Sequence, residues 1–316
     1  MKIGLDVMGG DFAPDAIIAG AILALGELTE NDQIVLIGNE EIIRSQVDNN
    51  LITSGKFHIV NTTEVIGMGE KPLKAISTKH DSSIFVGFKL LESKQINAFA
   101  SAGNSGAMMV GAMYSIGSIP GVIRPATLAI VPQENGNEAI ILDIGTNPDS
   151  KPDVLYQFAV LGSIYAHEVL KIENPRVGLL NIGEEEGKGN LSTQSAYQLM
   201  KESKDFNFLG NIESRDLFNS KVDVIVCDGF TGNIVIKQSE AIYRILQKRK
   251  LTDNFFERFN YEKHGGSPIL GINGAVVIGH GISNNVAVKN MVLLAKSIYD
   301  ARLSSKINKA LHIYMH

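Results

Sequence analysis

The chain contains a single cysteine, Cys227, in 316 residues. One cysteine excludes an intramolecular disulfide and any multi-cysteine metal site, and it suits a reducing cytoplasm. No His/Cys cluster has metal-ligand spacing, so no metal is expected. A Gly-x-Ser-x-Gly elbow is missing, which leaves out a serine triad on such a turn. So is a Gly-x-Gly-x-x-Gly fingerprint after a strand with an acidic residue about twenty positions on, which argues against a dehydrogenase. Nor is there a Pro/Ser-rich linker, a low-complexity tract or a repeat period. One α/β domain over residues 1–316 is expected, large enough to have two lobes. The formal charge of −5 is mild and argues against nucleic acid as a partner. From Ile96 to Ile123 there is no charged residue. Asn97, Ser101, Asn104, Ser105 and Pro120 interrupt the run, so it reads as strand, polar loop and buried helix rather than a membrane span. The first residues, Met1 to Asp6, read as a strand at once, so no signal peptide is expected and the protein should be soluble.

What the chain has in quantity is a recurring strand–loop–helix pattern. Its most informative instance starts with Val222-Asp223-Val224-Ile225-Val226-Cys227, a short β-branched run that reads as a buried strand. Asp228-Gly229-Phe230-Thr231-Gly232-Asn233 follows as a Gly-rich loop, and Ile234 begins what reads as the first turn of a helix. Backbone N–H groups at a helix start can hold an anion. Phe230 suggests an apolar wall beside that anion, as where a phosphate-like group meets an acyl chain. The competing reading is a turn whose glycines serve packing alone.

Similar loops follow other apolar runs. Asp6 to Asp11 carries Gly9 and Gly10, and Ser101 to Gly106 carries Gly103 and Asn104. Asp143 to Asn147 follows Ile140-Ile141-Leu142, and Asn181 to Asn190 follows Val177-Gly178-Leu179-Leu180. Alternating strands and helices predict a mainly parallel sheet covered on both faces. Ligands bind beyond the carboxyl ends of such strands, so these loops are expected to converge on one cleft.

Taken in order, the motifs resemble the bacterial acyl-carrier-protein:phosphate acyltransferases of phospholipid synthesis. The resemblance rests on Asp6-Val7-Met8-Gly9-Gly10-Asp11, Ser101-Ala102-Gly103-Asn104, Arg124-Pro125-Ala126 and Asp143-Ile144-Gly145. It continues through Gly178 to Gly183, Lys188-Gly189-Asn190, Asp228 to Asn233 and Gly279-His280-Gly281, and so runs nearly end to end. It implies an isopropylmalate-dehydrogenase-like α/β/α sandwich, a homodimer, no cofactor, and transfer of a fatty acyl group from acyl carrier protein to inorganic phosphate. The acyl-phosphate product would pass to a membrane glycerol-3-phosphate acyltransferase. Three features depart from the family pattern. Ile76 to His80 has fewer arginines, Thr146 stands where alanine is usual, and the segment after Gln238 is shorter.

The resemblance assigns roles that the bare residues leave open. Lys188 alone reads as a solvated lysine answering Glu184, Glu185 and Glu186. It matches the family's proposed catalytic lysine, which would bind phosphate and offset transition-state charge. Asn233 would hold the thioester carbonyl or a phosphate oxygen; the plain alternative is an N-cap. His280 is a candidate base or carrier contact, or a histidine satisfying loop carbonyls. Asp6, Gly9, Gly10, Ser101, Gly103, Asn104, Asn147, Gly229, Phe230, Thr231 and Gly232 are the candidate substrate-binding positions. Asp6, Asp143 and Asp228 read mainly as loop-organising acceptors. Cys227, ending an apolar strand, reads as a small buried hydrophobe rather than an acyl-enzyme nucleophile.

Between about 238 and 264 the pattern becomes helical and amphipathic. Ile242, Ile245 and Leu246 precede Lys248-Arg249-Lys250, then Phe255, Phe256 and Phe259. This surface is expected to be a dimer interface, a dock for the acidic carrier or a peripheral contact with the inner face of the membrane. An acetyl- or butyryl-CoA:phosphate transferase and a non-catalytic carrier-binding scaffold are the competing functions.

Overall fold

The computed structural model describes residues 1–314. In chain order its strands are β1 Lys2–Asp6, β2 Gln33–Gly38, β3 Phe57–Asn61, β4 Ala98–Ser101, β5 Ala126–Pro132 and β6 Glu138–Leu142, followed by β7 Arg176–Leu180, β8 Asn207–Ile212, β9 Val224–Val226, β10 Ser267–Leu270 and β11 Ala275–Ile278. The α-helices are α1 Asp15–Leu25, α2 Glu40–Gln46, α3 Asn49–Thr53, α4 Pro72–Thr78, α5 Ser83–Glu92 and α6 Ser105–Gly111, then α7 Pro152–Glu168, α8 Leu191–Lys201, α9 Gly229–Lys248, α10 Asn285–Asp300 and α11 Leu303–Tyr314. The chain forms two compact units. One comprises Met1–Ser118 with Tyr261–Ser304, the other Ile119–Asn260 with the C-terminal residues from Ser305.

In the first unit the strands run in the order β3-β2-β1-β4-β11-β10, all neighbours parallel except β10 with β11. Short β-branched runs buried on both faces favour this arrangement. Alternation divides the faces. Phe99, Val276 and Ile37 pack with Phe88, Ile84 and Met108 of α5 and α6. The Gly20 position of α1 lies against Val288 of α10, a helix that runs beside β11, β4 and β1. Register then sets the loops. Leu5 pairs with Ala100 and Ile278 pairs with Ser101, so Asp6, Ser101 and Gly279 leave adjacent strands side by side.

In the second unit the order is β5-β6-β9-β7-β8, with β5–β6 antiparallel and the rest parallel. Ile141 and Ile225 face a cluster that includes Val235 and Ile236 of α9. Leu142 and Val224 face Gly162 of α7, where a Cβ would fall 2.9 and 2.6 Å from their side chains. Leu142 pairs with Val226, and Val226 with Leu179, so the loops after β6, β9 and β7 leave one edge together. The mainly parallel α/β/α architecture expected from the sequence is what folds.

Phe88 and Phe99 meet edge to face with centroids 5.1 Å apart, both fully buried. Phe88→Ala should therefore cost about 3–5 kcal/mol in denaturant unfolding, the range for emptying a buried aromatic site. A loss under about 1 kcal/mol would mean that the first unit's core is not packed this way.

Candidate active site

The site in the second unit grows from Asp143, the first residue after β6. Its carboxylate is fully buried and accepts five hydrogen bonds. Oδ1 takes them from the Thr127 amide at 3.0 Å, the Thr127 hydroxyl at 3.1 Å and the Ile144 amide at 2.8 Å. Oδ2 takes them from the Asn147 amide at 2.5 Å and Asn147 Nδ2 at 3.0 Å. The single Thr127 hydroxyl hydrogen goes to Asp143, so Thr146 Oγ1, 2.9 Å away, must donate to Thr127. Thr146 therefore adds a bond to this network.

The first turn of α9 rests on that loop. The helix begins at Gly229, not at Ile234, because Asp228 caps it by accepting from the Thr231 amide at 2.7 Å. What the sequence presents as a Gly-rich loop is thus helix. Its glycines answer to packing: a Cβ on Gly229 would fall 2.7 Å from Asp143 Oδ2, and one on Gly232 would collide with the Asp143 carbonyl oxygen. The expected row of free N–H groups is mostly spent. Gly229 N donates to Asn147 O at 2.8 Å, Thr231 N to the Asp228 side chain and Gly232 N to Asp228 O. Among the described residues only the Phe230 amide of this turn lacks a partner. The Phe230 side chain is exposed, as the idea of an apolar wall requires.

Asn233 is not the N-cap. It lies in the second turn of α9, and its Nδ2 donates to the Ile144 carbonyl at 3.1 Å. Nδ2 keeps a second hydrogen, and Oδ1 has no partner among the described residues. Asn147 is used within the loop, since Nδ2 also bonds Pro125 O at 2.8 Å. That bond fixes the segment carrying Arg124, an exposed guanidinium with no ion pair among the described residues; the sequence reading did not single it out as a site residue.

Lys188 sits in a loop held from several sides. Asn181 Nδ2 donates to Lys188 O at 3.1 Å, Asn211 Nδ2 to Glu185 O at 2.9 Å, and Gln194 Nε2 to the carbonyls of Gly187 and Gly189 at 2.9 and 3.0 Å. Gly189 takes a φ of +91°, and a Cβ there would collide with the Thr193 and Asn181 side chains, so glycine is required on both counts. Two of the three neighbouring acids are engaged elsewhere. Glu184 pairs with Lys221 and Glu186 with Lys201, at 2.6 and 2.7 Å. The hydrogen bond from Lys201 holds Glu186 below its ordinary range. Glu185 lies beside the Lys188 stem over Gly183, but no ion pair joins them. The Lys188 ammonium is exposed and unpaired among the described residues.

A separate cluster forms in the first unit. Ser101 Oγ donates to Asp6 Oδ2 at 2.6 Å and accepts from the Gly103 amide at 2.9 Å, while Met8 N donates to Asp6 Oδ1 at 3.0 Å. Burial pushes the Asp6 carboxyl up, against hydrogen bonds from Ser101, Ser83, Met8 and Gly9 that pull it down. Gly9 lies against Asp6 and Gly103, and Gly10, at φ +112°, approaches the Gly281 carbonyl. Asn104 caps α6 through Ala107 N and donates to the carbonyls of Gly67, Met68 and Glu70, which spends its amide inside the protein. His280 is half-buried, with its ring 5.0 Å from that of Tyr261.

At the far end of α9, Lys248, Arg249 and Lys250 are exposed in the last turn and just beyond, where the helix dipole favours cations. Phe255, Phe256 and Phe259 are not an exposed stripe. They are half-buried and stack among themselves, Phe259 also meeting Phe218 at 5.3 Å. Exposed apolar residues lie instead on α9 itself, at Phe230, Ile234, Ile242 and Ile245, and just beyond it at Leu251. Among the described residues no helix is long and apolar enough to cross a membrane, and no group of three or more His, Cys, Asp or Glu side chains could hold a metal ion.

Residues 1–249 match the family model described as fatty acid synthesis protein. The phosphate acyltransferase of Halothermothrix orenii is 40% identical, with 99% of each chain covered. That of Dictyoglomus turgidum is 40% identical over 99% of this chain and 98% of its own. The chain belongs to the phosphate acyltransferase family. A solved phosphotransacetylase from Streptococcus pyogenes shares the fold, with a TM-score of 0.66 over 94% of each chain at 16% identity. In this member of the phosphate acyltransferase family, Lys188 and Asn233 belong to one unit and leave the neighbouring strands β7 and β9 at the same edge.

Cys227 directly follows β9 with Sγ 3.5 Å from the Asp143 carbonyl oxygen, and burial pushes its thiol well up, away from the thiolate a nucleophile needs. A thiol-reactive probe should label it at least about a hundredfold more slowly in native than in unfolded protein, read by mass spectrometry. Rapid native labelling would contradict this placement.

Proposed function

We propose that this chain transfers a long-chain fatty acyl group from the thioester of acyl carrier protein to inorganic phosphate, and that Lys188 and Asn233 carry the chemistry. The observation that supports this reading best is an exposed ammonium, left unpaired on a loop that is otherwise held rigid. Two of the three neighbouring acids, Glu184 and Glu186, are bonded to Lys221 and Lys201 instead, and Glu185 forms no ion pair with Lys188. A dianionic ligand therefore meets a cation already in place.

Little chemical activation is needed. A thiolate leaves readily, since thiol pKa values are about 8.5. A phosphomonoester, a fair guide to phosphate, is mostly dianionic above about pH 6. A phosphate oxygen attacks the thioester carbonyl, the C–O bond forms, the C–S bond breaks, and the thiolate departs to take a proton from solvent. Lys188 holds the phosphate and offsets its charge. The second Nδ2 hydrogen of Asn233 faces the oxyanion that develops on the carbonyl. The product is acyl-phosphate, a donor for the first acylation of glycerol 3-phosphate by a membrane acyltransferase. His280 is assigned to substrate contact in the first unit, while the Asp6–Ser101 pair, fully buried and bonded internally, holds the loops around it rather than meeting substrate. Exposed Phe230 and Ile234 on α9 suit an acyl chain. The basic end at Lys248, Arg249 and Lys250 suits an acidic carrier or an anionic membrane, and a homodimer is the working assembly.

Thiol release from palmitoyl-acyl carrier protein, with and without phosphate and with palmitoyl-CoA in parallel, tests the reading. Phosphate-dependent release from the carrier alone is expected. Release from CoA instead would favour a CoA:phosphate transferase, and carrier binding without release would favour a scaffold. Lys188→Ala and Asn233→Ala should each lower turnover by about a hundredfold or more in folded protein, the scale of losing one transition-state donor. Near-normal turnover from either would remove that residue from the mechanism.

A further inference from the structure

We infer that Asp143 is a positioning residue for acyl transfer: through the loop it organises, it sets which way the Asn233 amide points. The inference rests on the proposed role of Asn233. Every group involved belongs to the second unit.

An asparagine used as a hydrogen-bond donor has a particular weakness. Its amide can rotate by half a turn, exchanging N–H₂ for a carbonyl oxygen of nearly the same shape. In the wrong orientation Asn233 would present a partial negative charge to a developing oxyanion. A fixed acceptor on one side prevents this, and the Ile144 carbonyl, 3.1 Å from Nδ2, is that acceptor. Only the N–H₂ end can face it, and the second hydrogen is then held outward.

The Ile144 carbonyl is aimed by its loop, and the loop is aimed by Asp143. Bonds to the amides of Ile144 and Asn147 curl the chain around the carboxylate, while Thr127 ties that carboxylate to the start of β5. Gly145, at φ +141°, completes the curl; even a Cβ there would come within 3.1 Å of Asn233 Nδ2. The helix cannot drift away to compensate. Gly229 and Gly232 put its backbone in direct contact with Asp143 and Asn147, and Gly229 N is bonded to Asn147 O. The carboxylate has only acceptors to offer, and five donors converge on it. Asparagine at 143 would turn one oxygen into a donor facing donors, so the curl would open and release the Ile144 carbonyl.

The test compares Asp143→Asn, Asn233→Ala and the double variant by steady-state kinetics. If Asp143 acts through Asn233, Asp143→Asn should lower kcat by about tenfold or more and leave the phosphate KM within about threefold. The double variant should then be no slower than Asn233→Ala, within about twofold, because the second change removes what the first had already misaligned. Losses that multiply would overturn the inference, as would an Asp143→Asn enzyme with normal kcat. If Asp143→Asn does not fold, Thr127→Val removes one of the five donors at nearly constant volume and enters the same cycle under the same criteria. A second readout needs no turnover. The Asn233 side-chain amide, assigned by its loss in Asn233→Asp, should exchange slowly in wild-type protein and rapidly in a folded Asp143 or Thr127 variant. Protection retained in that variant would overturn the inference. A wild-type enzyme that released no thiol would refute the proposed function while leaving this amide result to stand or fall separately.

Discussion

The second unit depends on one close approach. The first turn of α9 lies directly on the loop that follows β6, with no side chain between the two backbones at Gly229 and Gly232. A buried carboxylate at the contact accepts five donors and so satisfies the polar groups that such proximity would strand. An unpaired buried polar group costs about 1–3 kcal/mol, so the contact requires the network and the network requires glycine. Once these conditions hold, the directions of Asn233, of Phe230 and of the segment carrying Arg124 follow from the backbone.

Rigidity suits the chemistry. Phosphate and a thioester react without a metal or an activated enzyme nucleophile if they are held together and the developing charges are met. Lys188 is treated in the same way as Asn233: its loop is tied by amide side chains, and two of its three nearby acids, Glu184 and Glu186, are drawn to other lysines. Surface ion pairs such as Glu184–Lys221 add little stability, typically about 0–1 kcal/mol. Their consequence at this site is to leave one cation without a partner.

Much of the architecture was legible in the sequence. Short β-branched runs marked the strands, and the loops after them were correctly placed at strand ends, because apolar periodicity and Gly/Asn/Asp punctuation are local signals. Asp6, Asp143 and Asp228 as loop organisers and Cys227 as a buried hydrophobe also followed from their positions at strand ends. The start of α9 was misplaced by five residues. Two glycines in six positions look like loop when their real cause, contact with Asp143, lies far away in the chain. The same limit hid the support for the site. Thr127 reaches Asp143 across 16 residues, Lys221 reaches Glu184 across 37, and Asn211 reaches the Lys188 loop across 26. Nothing in a local pattern marks such partners. The aromatic residues near 255–259 misled for a related reason, since spacing alone does not say which face of a short helix finds a neighbour.

In the proposed direct transfer, phosphate and acyl thioester are held at the same time, with no acyl group resting on the enzyme between them. Initial rates measured while both substrates are varied test it most directly, because a covalent relay gives ping-pong kinetics and direct transfer does not. Double-reciprocal plots at several phosphate concentrations should give lines that intersect. Parallel lines, with thiol released before phosphate is added, would contradict it.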